Sequence, residues 1–326
     1  FTLEAQLAEI EGGKHAVLAP SGLAAISIVD FAFLKSGDDV LIPENIYNPN
    51  RELGNWLSRD FGVGVRYYDP MIGAGIAELL KDNTRLVWTE TPGSVTMEVP
   101  DIPAISQAAH ARGALVVLDN TWSAGLVFDA FGHGADVVVQ AATKYQGGAS
   151  DLLMGAVITR DDELFRKISM AHMRLGMGVG ADDAYLVLRS LPSMKVRFAK
   201  SGESAMIVAN WLKKHPEISK ILHPAFDDCP GHDVYRRDFT GSGGLFSVLF
   251  DERYTEAQTD RFLETLKLFK LGFSWGGTHS LSVPYRIRSD RRDWMQRGNQ
   301  LIRFYVGLED PQDLIADLEQ AMRVLD

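Results

Sequence analysis

The chain has 326 residues, 46% of them hydrophobic and 23% charged, with 30 Gly and only 13 Pro, a globular profile sized for one large or two ordinary domains that excludes disorder and collagen-like repeats. Its 33 Lys and Arg against 43 Asp and Glu leave a net charge of −10, a surface that repels polyphosphate and argues against nucleic acid as a partner. The single Cys229 excludes an internal disulfide and a Cys-based zinc site, and neither a spanning apolar run nor a signal-like start at Phe1-Thr2-Leu3-Glu4 is present, so a soluble, cytoplasmic protein is expected.

In chain order, Pro20-Ser21-Gly22-Leu23-Ala24-Ala25-Ile26 predicts a Ser-Gly turn opening a small-residue helix, whose free N–H groups suit an anion. An ordinary N-cap by Ser21 explains the same residues. β-Branched runs then predict strands at 40–42, 63–67, 86–89, 115–118, 137–139 and 156–159, nearly uniformly apolar as in a sheet buried on both faces. Helical stretches separate them; in 102–112, Ile102, Ile105 and Ala109 share a face and Gly113 supplies the stop. This alternation predicts an α/β fold with a mostly parallel sheet flanked by helices.

Around Leu191-Pro192 the pattern changes. Residues 196–214 read as a long helix ended by His215-Pro216, and a boundary is placed between domains 1–190 and 191–326. Gly241-Ser242-Gly243-Gly244 and Gly276-Gly277 read as turns before strands at 245–250 and 281–283. An amphipathic helix over 309–323, with Leu314, Ile315, Leu318 and Met322 inward, closes the chain. No internal repeat is visible.

Two strand ends carry the chemistry. Leu118-Asp119-Asn120-Thr121-Trp122 puts a carboxylate directly after a buried strand, at the carboxyl-end crevice of the sheet. Residues 137–148 end another buried strand in Ala142-Thr143-Lys144-Tyr145 and two glycines. Alone, Asp119 reads equally as a turn carboxylate and Lys144 as a lysine reaching solvent. Together they supply what pyridoxal 5′-phosphate chemistry requires: an amine for a Schiff base and a carboxylate to keep the pyridine nitrogen protonated. The phosphate would then fall at the helix opened by Ser21, with the Thr143 hydroxyl beside it.

Glu90-Thr91-Pro92-Gly93-Ser94, Asp119-Asn120-Thr121-Trp122 and Ala142-Thr143-Lys144-Tyr145 resemble the Cys/Met-metabolism (trans-sulfuration) enzymes that depend on pyridoxal phosphate. Gly93 to Val99, Gln140 to Lys144, Asp238 to Ser242, Ser274-Trp275-Gly276-Gly277, Leu301-Ile302-Arg303 and Gly307-Leu308-Glu309-Asp310 most resemble the bacterial β-eliminating branch, and the likeness runs along the whole chain. The resemblance implies a fold-type I transferase-like architecture: a mostly parallel seven-stranded sheet in the first domain and a smaller α+β C-terminal domain. It further implies Lys144 as Schiff-base lysine, Asp119 on the pyridinium, Tyr47 stacked on the cofactor, and Gly22, Leu23 and Thr143 on the phosphate. Arg303 would clamp the substrate α-carboxylate, with Ser274 and Trp275 as the nearby wall. Tyr47 and Trp275 as core aromatics, and Arg303 as a strand residue paired to a surface carboxylate, remain open from the residues themselves.

The implied reaction is α,β-elimination of L-cystathionine or another cysteine S-conjugate to a thiol (homocysteine), pyruvate and ammonia, in methionine and sulfur amino-acid metabolism. The Lys144 amine would serve as base with a lowered pKa, and Tyr47 as a second acid or base, its pKa lowered by the cofactor's charge. A γ-lyase or γ-replacement enzyme, and a catalytically silent binding protein on the same fold, stay open. Ala141, where many γ-eliminating relatives have Ser, favours β-elimination. The resemblance also implies a homotetramer of dimers, and a preceding segment with a Tyr-x-Arg pair that has no counterpart in residues 1–326. Gly176 to Gly180 follows a helix-like stretch and is a poor dinucleotide fingerprint. The 8 His residues are scattered, so no metal site is expected, and His279 is noted only for lying near Trp275. Arg286, Arg288, Arg291 and Arg292 read as a solvated face bordering an acidic patch on a partner subunit.

Overall fold

A computed structural model describes residues 1–287, 291, 292, 295 and 300–325. Seven strands, β1 (His15–Ala19), β2 (Asp39–Pro43), β3 (Gly64–Tyr68), β4 (Thr84–Glu90), β5 (Leu115–Asp119), β6 (Val137–Gln140) and β7 (Gly155–Thr159), form one sheet in the order β1-β7-β6-β5-β4-β2-β3. β7 is antiparallel to both neighbours and the remaining pairs are parallel. Every strand but β7 therefore delivers its carboxyl end to the same edge.

The apolar runs follow from burial on two faces. Val40 and Ile42 join one core with Leu86, Trp88 and Val117, whereas the intervening Leu41, Val87 and Val116 join another. Successive strand residues point to opposite faces, so neither face tolerates a polar run. Helix α2 (Gly22–Phe33) packs Ile28 and Val29 into the first core, and α4 (Ile102–His110) packs Ile105 and Ala109 into the second. Helices α1 (Thr2–Glu11), α3 (Asn48–Phe61) and α5 (Asp162–Leu175) complete the layers.

The smaller sheet, β8 (Ile218–Leu222), β9 (Leu245–Phe250), β10 (Lys270–Leu271), β11 (Leu281–Tyr285) and β12 (Leu301–Tyr305), has the order β10-β11-β12-β9-β8. Its core of Phe246, Phe304, Phe262 and Leu314 is closed by the terminal helix Pro311–Met322. Helix α6 (Ala181–Leu212) joins the two sheets.

Two elements depart from the sequence reading. β1 pairs with β7 along its whole length, but His15-Ala16-Val17-Leu18-Ala19 carries a single β-branched residue and so does not announce a strand. Helix α6 starts at Ala181 rather than 196 and passes through Pro192. Proline in a helix interior loses a hydrogen bond and clashes with the preceding turn; the stripe Val187, Leu191, Met194, Phe198, packed on the main core, holds the helix together across it. Among the described residues no helix is long and apolar enough to cross a membrane.

Phe304 sits on the central β12 with no exposure, against Phe246 and Phe269. Phe304→Ala leaves a cavity that the two neighbouring rings cannot fill, and should destabilise the chain by about 3–5 kcal/mol, measured as a lower urea midpoint with unchanged slope.

Candidate functional site

The carboxyl edge of the large sheet opens on a cleft of about 1080 Å³. At one end β1 leads through Pro20 and Ser21 into α2, whose first amide groups lack intrahelical acceptors. Ser21 caps that helix by accepting the Ala24 N–H at 3.0 Å, while Gly22 and Leu23 line the cleft. A Cβ on Gly22 would stand 2.8 Å from the Ala141 Cβ, so the loop after β6 approaches the helix start more closely than any side chain allows. The result is a backbone cradle with the positive end of a helix dipole, suited to an anion. Thr143 also lines it, but its hydroxyl accepts the Met154 N–H at 3.0 Å and donates to the Met154 carbonyl at 3.1 Å. A phosphate contact from Thr143 would require that proton to turn.

Deeper in the same cleft stand Asp119, at the end of β5, and Lys144, four residues beyond β6. Asp119 is held by the Thr121 N–H at 3.0 Å; burial raises its pKa, opposed by that bond and by the charge of Lys144. Burial, and then the charge of Arg303, bring the Lys144 amine from 10.5 down to about 8 against the opposing pull of Asp119. Its Nζ donates to Ser274 Oγ at 2.9 Å and lies 5.2 Å from the Trp275 ring centroid. Ser274 and Trp275 thus meet the amine, directly after Phe273, whose carbonyl meets Arg303. Gly276, at φ 85°, is pressed so close that a Cβ would come within 2.8 Å of the Lys144 carbonyl carbon.

Arg303, in the middle of β12 and buried, reaches the cleft by donating Nη2–H to the Phe273 carbonyl at 2.7 Å and Nη1–H to the Tyr285 hydroxyl at 3.0 Å. No carboxylate neutralises it among its described contacts, so a charged fork stands ready for an acidic ligand. Among the described residues the surface ion pair that residue type alone allowed is not formed. Tyr47, at the N-cap of α3, is 41% exposed and lines the opposite wall. Burial, and then the charges of Asp119 and Glu90, raise its phenol pKa. The protein's own groups act against the lowered value the sequence reading expected.

Four further residues matter that the sequence reading did not place at the site. Glu90 ends β4 in register with Asp119. Tyr285 steers Arg303, and its partnership across β11 and β12 is visible only in the register. Glu11, at the end of α1, accepts Asn120 Nδ2–H at 2.5 Å and Gln140 Nε2–H at 2.6 Å. It so ties the residue after Asp119 to the end of the strand leading to Lys144. Burial pushes the Glu11 pKa up to about 8. Arg291 corrects the expected solvated arginine face. It bonds Glu44 at 2.6 Å, Asp69 at 3.2 Å and Glu98 at 3.0 Å, against carboxylates of its own chain. Arg292 also pairs with Asp69 and Glu98; Arg286 is exposed and pairs with Glu256. Arg288 lies outside the described residues.

The amine, the strand-end carboxylate, the aromatic wall and the glycine cradle converge on one cleft, and this donor set fits a flat, phosphorylated heterocyclic aldehyde. Comparison with known proteins agrees. A family model described as "Cys/Met metabolism PLP-dependent enzyme" matches residues 1–323. A putative cystathionine beta-lyase of Rhizobium johnstonii is 40% identical over 95% of this chain and 79% of its own length. The cystathionine beta-lyase of Escherichia coli is 38% identical over 98% of this chain and 82% of its own. A crystal structure of cystathionine gamma synthase from Xanthomonas oryzae pv. oryzae matches with a TM-score of 0.91 at 30% identity, covering 99% of this chain and 84% of that one.

A lysine titrating near 8 offers its neutral amine at lower pH than an ordinary lysine. When the cofactor-free chain is mixed with pyridoxal 5′-phosphate and fixed with borohydride, the labelling rate of Lys144, followed by peptide mass spectrometry, should rise through about pH 8 and level off. Labelling of exposed lysines should still be climbing there.

Proposed function

The chain belongs to the Cys/Met metabolism PLP-dependent enzymes, and from that membership we propose that it is a carbon–sulfur lyase cleaving L-cystathionine, or another cysteine S-conjugate, by α,β-elimination to a thiol, pyruvate and ammonia. The observation that carries this reading is that the Lys144 amine shares one cleft with Arg303 and Asp119 and feels the charge of both. The β-lyase relatives at 38% and 40% identity, against 30% for the γ-synthase structure, support β-elimination, as does Ala141.

Pyridoxal 5′-phosphate, when bound, supplies an electron sink for the carbanion formed at the substrate Cα. The cradle of Gly22 and Leu23 would hold its phosphate, Asp119 its pyridine nitrogen and Tyr47 one face of its ring. Arg303 binds the substrate carboxylate through the fork that Tyr285 and the Phe273 carbonyl orient, and that grip directs the Cα–H bond toward Lys144. Lys144 takes the α-proton; an amine near 8 is neutral in a minority of molecules at physiological pH, a far larger share than for an ordinary lysine, and still basic enough to work. Ser274 and Trp275 keep the freed amine beside the cleft instead of letting it swing to solvent. Tyr47, whose surroundings keep the phenol protonated, is assigned as a proton donor to the departing sulfur. The large sheet and its loops, residues 1–190, thus hold the cofactor, and residues 191–326 contribute the carboxylate clamp. Exposed Met173, Tyr185 and Val196 on α5 and α6 support assembly into a homotetramer, and a cytoplasmic location accords with one buried, unpaired Cys229.

Incubation with L-cystathionine should yield homocysteine, pyruvate and ammonia by mass spectrometry. 2-Oxobutyrate and cysteine in place of pyruvate and homocysteine, again with ammonia, would establish γ-cleavage, and no turnover with no borohydride-reducible absorbance would support a silent binding protein. Lys144→Ala should abolish turnover. Arg303→Ala should cost about 2–5 kcal/mol in kcat/KM, and an unchanged value would remove Arg303 from the site.

A further inference from the structure

We propose that Glu90 is a positioning residue of this site: a neutral carboxylic acid abreast of Asp119 that fixes Tyr47 and leaves Asp119 as the only ionised carboxylate at the ring. This rests on the reading of Asp119 and Lys144 as cofactor anchors and extends it.

The geometry is that of two acids on adjacent strand ends. β4 and β5 are parallel with Glu90 and Asp119 as ladder partners, both lining the cleft. Two carboxylates so placed and shielded from water do not both ionise. Other groups face Glu90: the Tyr47 amide and phenol from the start of α3, Ser94 from the loop after β4, Tyr285 from β11, and Lys144 beyond Asp119. Among its described contacts no cation pairs with Glu90, whereas Asp119 has Lys144 in range. Burial and the Asp119 charge hold Glu90 well above the usual carboxylate range, so the pair's single proton belongs on Glu90.

The bonds donated by Ser94 and Tyr47 favour the charged form and are outweighed by burial and the Asp119 charge; they can also be kept by the neutral acid. Glu90 Oε2 accepts the Tyr47 N–H at 2.7 Å, and Oε1 meets Ser94 Oγ. A serine hydroxyl both donates and accepts, so the Glu90 proton can rest on Oε1 and be given to Ser94 Oγ. One bond then fixes the N-cap residue that carries the Tyr47 ring. The other anchors a loop in which Val95 and Met97 take φ of 68° and 55°, conformations that β-branched and long side chains keep only under tight restraint. Glutamine reproduces both bonds: its carbonyl accepts from Tyr47 N–H and its amide donates to Ser94.

The test compares wild type, Glu90→Gln and Glu90→Ala as full chains freed of cofactor, titrated with pyridoxal 5′-phosphate while tryptophan fluorescence is followed. Glu90→Gln should bind within threefold of wild type, and Glu90→Ala at least tenfold more weakly. A folded acid with a raised pKa stabilises below its unfolded value and loses that contribution as pH rises through its folded value. The thermal midpoint of the cofactor-free wild type should therefore fall from pH 5 to 9 more steeply than that of Glu90→Gln. A tenfold loss in Glu90→Gln would mean that the charge is required and would overturn the proposal. Wild-type binding by Glu90→Ala would do so too, as would a Glu90→Ala that is less stable but binds normally. If Glu90→Ala does not fold, the affinity and pH slope of Glu90→Gln decide alone. Lys144→Ala and Asp119→Asn serve as controls. Unchanged cofactor binding in both would sink the reading of the anchors, whereas weakened binding there with the wrong Glu90 result sinks only this inference.

Discussion

The structure depends on the placement of ionisable groups at the carboxyl edge of a buried parallel sheet, where water screens them poorly. Asp119, Glu90 and Lys144 each follow an apolar strand into one cleft, and Arg303 enters it from the second sheet. In such surroundings a charge is set by its neighbours more than by its own chemistry. Desolvation lowers the lysine, Arg303 adds to that, and Asp119 pulls the other way. The same burial sorts the two carboxyls into an ionised and a neutral partner. The site's acid–base character is thus a property of the sheet edge.

Holding these groups still is the task of buried polar bonds behind the cleft. Glu11 bridges Asn120 and Gln140, and Gln146 donates to Gln140 Oε1 at 3.0 Å. One network therefore braces the residue after Asp119 and the segments on both sides of Lys144. Tyr145, fully buried, accepts the Gly244 N–H at 2.8 Å and stacks edge-on to Trp275, so the chain beside Lys144 is fastened to the smaller sheet's core. Arg291 adds a charged tie from the C-terminal part of the chain to Glu44 and Glu98, next to the turn that carries Tyr47. Breaking one partner of such a buried group leaves the other uncompensated, which is why these side chains constrain the cleft more strongly than their bond count suggests.

The fold lends itself to variation in reaction type. A γ-synthase structure matches along nearly the whole chain, so the fold by itself does not fix the reaction. In this chain the Tyr285 hydroxyl and the Phe273 main-chain carbonyl aim Arg303. Fold establishes what the cofactor can do; the positioned proton carriers decide which bond breaks.

The sequence alone determined the alternation of apolar strands and amphipathic helices, because burial on two faces writes itself into local composition at Val40, Leu86, Val116 and Val137. It also marked Asp119 and Lys144, since a charged residue immediately after a buried strand has few places to go except the crevice. Tertiary structure alone decided what these residues meet. Ser274 bonds Lys144 from 130 positions away, Glu90 stands beside Asp119 only through strand register, and Arg291 is buried against acids hundreds of residues upstream. Pro192 lies within a continuous helix because distant core residues pack against that helix's stripe. Local pattern records which surface a residue prefers. Partners, and with them protonation states, come from chain segments that no local window contains.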